Sequence, residues 1–231
     1  MTLRTQILAG LILLQVSYGL ALGAGKESRQ SIPLEAASVL FEQNATDEDV
    51  EVVFEVNAGD VGLAKLTVVS PDHRTVIDFT APDASTLGIR NFQLESPEPK
   101  DIEGLKAAYP EGTYTFAGTN VVGDKLHGEA TLIHELPATV SFLRPGAGAT
   151  RISTEDLEIA WTPVENVANY IVEIEQDELD VKLKARLPAT AATLVVPSGF
   201  LLPGTEYKLS IGTMTDKGNI SIVETTFTTA E

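Results

Sequence analysis

Leu201-Leu202-Pro203-Gly204-Thr205-Glu206-Tyr207-Lys208-Leu209-Ser210-Ile211 constrains the fold more than any other stretch of this chain. A Pro-Gly corner feeds an alternating strand whose first inward residue is Tyr207. A β-sandwich crosses from one sheet to the other in this way, and the phenol anchors the crossing. A looser echo lies 93 residues earlier, in Tyr109-Pro110-Glu111-Gly112-Thr113-Tyr114-Thr115-Phe116. In both stretches a proline stands four positions before the strand-opening tyrosine. The expected fold class is therefore all-β, as two antiparallel sandwiches in tandem.

A chain of 231 residues accommodates one or two domains with adequate cores. It contains no cysteine, which removes disulfides, thiol nucleophiles and Cys-based metal sites. The formal net charge is −17. Affinity for nucleic acid rests on Lys and Arg, so no nucleic-acid partner is expected. Such a charge keeps a protein soluble and suits a protein partner with a basic surface.

Residues 1–23 have the layout of a secretory signal peptide. Arg4 supplies the positive start, Ile7 to Leu14 the apolar run, and small residues offer cleavage after Ala21 or Gly23. Gln15, Ser17 and Tyr18 leave the run short of the ~20 apolar residues that span a bilayer. No membrane insertion is expected after cleavage, and the protein is expected to be exported, to the periplasm, the cell surface or beyond. Loss of Arg4 with no acid would take the charge from −17 to −18.

The first domain is expected over 30–136. Val50, Val52, Phe54 and Val56 alternate with Glu51, Val53, Glu55 and Asn57, as in a half-buried strand. Leu66–Val69 and Thr75–Phe79 flank a Ser70-Pro71-Asp72-His73-Arg74 turn. Gly88 to Leu94 reads as a strand with a bend, and Asp101 to Ala108 as one capped helical turn. Strands over Thr113–Ala117 and Leu126–Glu135 close a generic immunoglobulin-like sandwich. A linker of only Leu136-Pro137-Ala138 predicts contact between the two halves.

Over 138–231 the strands come in a specific order. They are Thr139–Pro145, Leu157-Glu158-Ile159-Ala160-Trp161-Thr162-Pro163, Tyr170–Glu175, Val181–Leu187, Thr193–Pro197, the Leu201–Tyr207 corner and Ile220–Thr228. The Trp161-Thr162-Pro163 ending, the corner and their spacing resemble the fibronectin type III family. The resemblance implies a seven-stranded sandwich with Trp161 in its core, in a family used mostly for adhesion, spacing and protein contacts. Where some members carry an integrin-binding tripeptide this chain reads Thr215-Asp216-Lys217-Gly218-Asn219, so that activity does not carry over.

No motif for catalysis emerges. There is no Gly-x-Ser-x-Gly, and Gly146-Ala147-Gly148 lacks the third glycine of a dinucleotide loop. His127 and Glu129 share a strand face but supply only two ligands where zinc needs three or four. His134, read as lying on that same strand, would face the other way. Asn44-Ala45-Thr46-Asp47-Glu48-Asp49 is rich in oxygen but lacks the Asp-x-Asp-x-Asp-Gly order of a calcium loop. Asn44 and Asn219 fit glycosylation sequons. No catalytic, cofactor or metal residues are assigned.

The expected function is an exported, non-enzymatic binding, adhesion or scaffolding protein. A polysaccharide-binding accessory module is the alternative, and a carboxylate-dependent hydrolase a weaker one. The oligomeric state is not readable. The candidate partner-binding residues are Glu165, Asn166, Asn169, Asp216, Lys217 and Asn219, in two loops that the resemblance brings to one end of the second domain.

Overall fold

The computed structural model describes residues 31–81 and 88–231; the expected signal peptide at 1–23 lies outside the described residues. The fold is nearly all β, in sandwich-like sheets. The first half carries β1 (Ser31–Pro33), β2 (Ala36–Asn44), β3 (Asp49–Asn57), β4 (Leu63–Val69), β5 (Thr75–Thr80) and β6 (Asn91–Glu95). The helix α1 (Ile102–Ala108), β7 (Gly112–Asn120) and β8 (Lys125–Leu132) complete it. The second half carries β9 (Phe142–Arg144), β10 (Ala149–Ile152), β11 (Glu158–Trp161), β12 (Asn169–Gln176), β13 (Val181–Pro188), β14 (Thr193–Val195), β15 (Glu206–Met214) and β16 (Ile220–Thr229).

Two hydrophobic cores form, one on each side of the 136–138 linker. The first gathers Phe41, Phe54, Leu63, Tyr114, Phe116 and their neighbours, and the second Trp161, Tyr170, Tyr207, Leu209 and Phe227. Alternation explains the burial. In β3, Val50, Val52, Phe54 and Val56 are buried while Glu55 is exposed. Val53 is buried as well, on the opposite face to Phe54.

Both proline–tyrosine corners close as the sequence suggests. The Leu202 N–H donates to the Tyr207 hydroxyl at 2.9 Å, and the Tyr207 ring stacks on Phe227 with centroids 5.6 Å apart. The Tyr114 hydroxyl donates to the Pro110 carbonyl at 3.1 Å. Gly204 takes φ +61, the left-handed corner that glycine adopts without strain. Helix α1 extends beyond a single turn: the Asp101 carboxylate caps the Gly104 N–H at 3.0 Å, and Leu105 is buried.

Four expectations change. The residues 36–44 form a nine-residue strand that the sequence reading passed over. β8 ends at Leu132, so His134 does not share a strand with His127; its Nε2 lies 2.8 Å from the Tyr109 carbonyl instead. The 88–94 stretch is an isolated bridge at Ile89 followed by β6. The first strand of the second half breaks after Arg144 and resumes as β10, which pairs in parallel with β16 in the other sheet. The second half thus has eight strands where the resemblance implies seven. Otherwise it has the expected form, with β14-β11-β9 facing β13-β12-β15-β16.

The sheet β13-β12-β15-β16 does not stop at the end of the second half. β16 pairs in parallel with β2 at Ile220–Glu42, Ser221–Gln43 and Ile222–Asn44, and the sheet runs on through β3 to β6. The first half's other sheet, β1-β8-β7-β4-β5, stays separate. Asn219 ties the same seam. Its side chain accepts the Phe41 N–H at 2.9 Å and donates to the Ile133 and Glu135 carbonyls, both at 2.8 Å. Thr213 Oγ1 donates to the linker carbonyl of Ala138 at 2.9 Å.

Candidate recognition surface

The two candidate loops do meet. β12 and β15 are antiparallel with Asn169 opposite Met214, and the Ala168 N–H donates to the Met214 carbonyl at 2.7 Å. The end of loop 162–168 therefore lies against the start of loop 215–219. Tyr170 holds the first loop from below: its buried hydroxyl accepts the Val164 N–H at 2.8 Å and donates to the Val164 carbonyl at 3.3 Å. The second loop closes on itself, Thr215 N–H to the Asn219 carbonyl at 2.9 Å and Gly218 N–H to the Thr215 carbonyl at 3.1 Å.

Glu165, Asn166, Asp216 and Lys217 are exposed, and Asn169 is half-buried. Asn166 holds φ +60, a left-handed turn position that asparagine tolerates. Asn219 differs from the other five. It is 1% exposed, and its amide is fully engaged with the first half of the chain, so its side chain does not reach the surface. For the same reason it offers no free amide for glycosylation. The other sequon asparagine, Asn44, donates to Asp47 at 2.8 Å and accepts the Thr46 N–H at 3.0 Å. The loop pair therefore lies beside the seam between the halves, not at a free tip.

A second feature is the outer face of the continuous sheet, which the sequence did not reveal because β2 and its pairing were not foreseen. In the second half, charge alternates strand by strand. Lys182 and Lys184 of β13 meet Glu173 of β12 at 2.5 and 3.2 Å, and Lys182 also bridges Glu175. Lys208 of β15 meets Glu175 at 3.2 Å and Glu224 of β16 at 3.7 Å. Three hydrogen-bonding neighbours, Lys182 first, hold the Glu175 carboxyl down at about 2.

Beyond β16 the alternation fails. Glu42 of β2 stands opposite Glu51 of β3, and Glu95 of β6 lies one strand further on. Burial, then repulsion from Glu95 and Glu42, pushes the Glu51 carboxyl up to about 7. Burial and Glu95 also raise Glu42, against a lowering pull from Lys184. Glu42, Glu51, Asp47, Asp49 and Glu98 line an open depression of about 240 Å³ together with Glu224. Among the described residues, no group of three or more His, Asp or Glu is arranged to hold a metal ion. His127 instead approaches Ser31 Oγ through Nδ1 at 2.8 Å. Among the described residues, no helix is long and apolar enough to cross a membrane.

No family model matches the chain, and no curated protein matches it. Solved structures of tandem modules are similar to it at low identity. The fibronectin(III)-like modules of Clostridium thermocellum CbhA share 9% identity over 89% of this chain and 92% of theirs, with a TM-score of 0.35. The FN1-FN3 domains of chicken CNTN1 share 11% over 88% and 66%, also at 0.35. A two-domain fibronectin type III segment of chicken tenascin shares 14% over 85% and 99%, at 0.33. The fold described above rests on the sheets and corners themselves.

Proposed function

We propose that this chain is an exported, non-enzymatic binding or scaffolding protein that holds a protein partner against a fixed joint. Its two units are an immunoglobulin-like sandwich over 30–136 and a fibronectin type III-like sandwich over 138–231. The observation that carries this reading is the position of the loop pair. Glu165, Asn166, Asp216 and Lys217 lie exposed beside Asn219, which is locked to the first unit. Loops on a rigid sandwich are where such folds carry recognition. A seam of paired strands beside them removes the entropy cost of fixing two units when a partner touches both. The net charge of −17 favours a partner with a basic surface.

The test is capture of partners from the secreted fraction by the full chain, compared with a Glu165→Lys/Asp216→Lys variant at low and high salt. The variant should lose the partner that the native chain retains, and retention by the native chain should fall as salt screens the loops. Equal retention whatever the loops or salt would replace this reading with that of a spacer.

A further inference from the structure

The eight-residue strand β13 ends the long sheet at one side and carries its cations outward. Lys182, Lys184 and Arg186 are exposed while Leu183 and Leu187 pack on the second core. Among the described residues Arg186 has no carboxylate within ion-pair distance. At the other end, also among the described residues, β6 closes the sheet with Asn91, Gln93 and Glu95 facing outward behind Glu51 and Glu55 of β3. Leu94, which faces the opposite way from Glu95, is left 42% exposed. Each end therefore has what the other lacks. Lys182 and Lys184 are shared with Glu173 and Glu175 while Arg186 is left over, and among the described residues Glu51, Glu55 and Glu95 have no cation within ion-pair distance.

We propose that this face assembles copies of the chain head to tail, with β13 of one copy adding to β6 of the next. The strand directions allow it. Counting across the sheet, five antiparallel pairings and one parallel pairing leave β6 running opposite to β13. A copy continuing the sheet in the same orientation then meets β6 in the antiparallel sense. The outer faces coincide, so Lys184 and Arg186 come beside Glu95 and Gln93, while Leu183 and Leu187 cover Leu94 on the inner side.

Lys and Arg on an edge strand normally discourage pairing with another chain. Here the same charges exclude β13 against β13 and leave the acid-bearing edge as the compatible neighbour. The contact is heterologous, so it propagates instead of closing as a two-fold dimer. The strand-to-strand twist of about 20–25° makes the assembly helical.

The experiment uses purified chain alone, so its result is independent of partner capture. Sedimentation of the native protein at low salt should give a mass that rises with concentration, and high salt should suppress the rise. Lys184→Glu/Arg186→Glu disables one edge and Gln93→Lys/Glu95→Lys the other; each should weaken association about tenfold or more. Circular dichroism and the thermal midpoint of each variant check that it folds. Mixed, the two variants can pair through their native edges and also through their charge-reversed edges, which complement each other. The mixture should therefore regain the association that each variant alone has lost. A concentration-independent monomer mass for the native chain overturns the proposal. So does association that both variants retain, or a mixture that yields no complex.

Discussion

Asn219 and Phe41, 178 residues apart, are joined by a buried hydrogen bond of 2.9 Å in which the Asn219 carboxamide accepts the Phe41 N–H. The same amide donates to Ile133 and Glu135, so one side chain from the β15–β16 turn satisfies three backbone groups across the seam. Asn219→Ala leaves all three without that partner and should lower stability by about 2–4 kcal/mol in denaturant unfolding. Asn219→Asp keeps the acceptor but turns a carboxylate toward two carbonyls, and should cost at least as much. Midpoints unchanged in both variants would mean that the seam contributes nothing.

The corner gives a second expectation. Tyr207→Phe keeps the buried ring stacked on Phe227 and removes the acceptor of the Leu202 N–H. The loss should be about 1–3 kcal/mol. Trp161→Ala opens a cavity beside Tyr170, whose ring centroid lies 5.4 Å away, and should cost about 3–5 kcal/mol. Thermal or denaturant unfolding of the two variants checks the order.

Stability should also depend on pH through the acidic end of the sheet. Glu51 titrates at about 7 in the folded chain against a usual 4.5, so between those values the native state holds a proton that the unfolded chain has released. Stability from this group therefore falls as pH rises from about 4.5 to about 7, and stays low above it. The size is on the order of 1–2 kcal/mol once solvent screening is allowed for. Glu175 has the opposite sign: held down at about 2, it contributes stability that is present above 4.5 and lost as pH falls toward 2. Unfolding of Glu51→Gln between pH 4.5 and 8 should show a flatter slope than the native chain; an identical slope would remove Glu51 from this role.

The secretory signal expected over residues 1–23 is open to its own test. Intact mass of the exported protein should place the new N-terminus between residues 22 and 26, from the small residues around Ala21 and Gly23. A full-length mass retained with membranes would overturn cleavage.

How far the fold was legible depended on range. Tyr207, Asp101 and the Ser70–Arg74 turn announce themselves because their hydrogen-bond partners lie a few residues away, where local spacing fixes the geometry. Trp161, by contrast, was placed in the core by the family resemblance and packs against Tyr170 of the next strand. β2 was missed because Ala36–Asn44 mixes apolar residues with Ser38, Glu42 and Gln43 without clean alternation. Its Phe41 and Leu40, on opposite faces, are both buried, which no two-fold pattern reports. The candidate loops could be named from strand order, and β12–β15 pairing does bring them together. That Asn219 turns inward could not be read, since its acceptors and donor belong to residues 41, 133 and 135. The acidic run Glu42–Glu51–Glu95 was hidden for the same reason: three short segments distant in sequence become neighbours only through sheet pairing.

The fixed joint between the units is open to one decisive observation, backbone ¹⁵N relaxation at high salt, where copies are screened from one another. Strand amides of β3, β4 and β7 and those of β12 and β15 should report a single rotational correlation time, that of one body containing both halves. Two distinct, shorter times for the two sets would show units tumbling on a loose linker. That result would overturn the rigid scaffold and the partner surface built beside its seam.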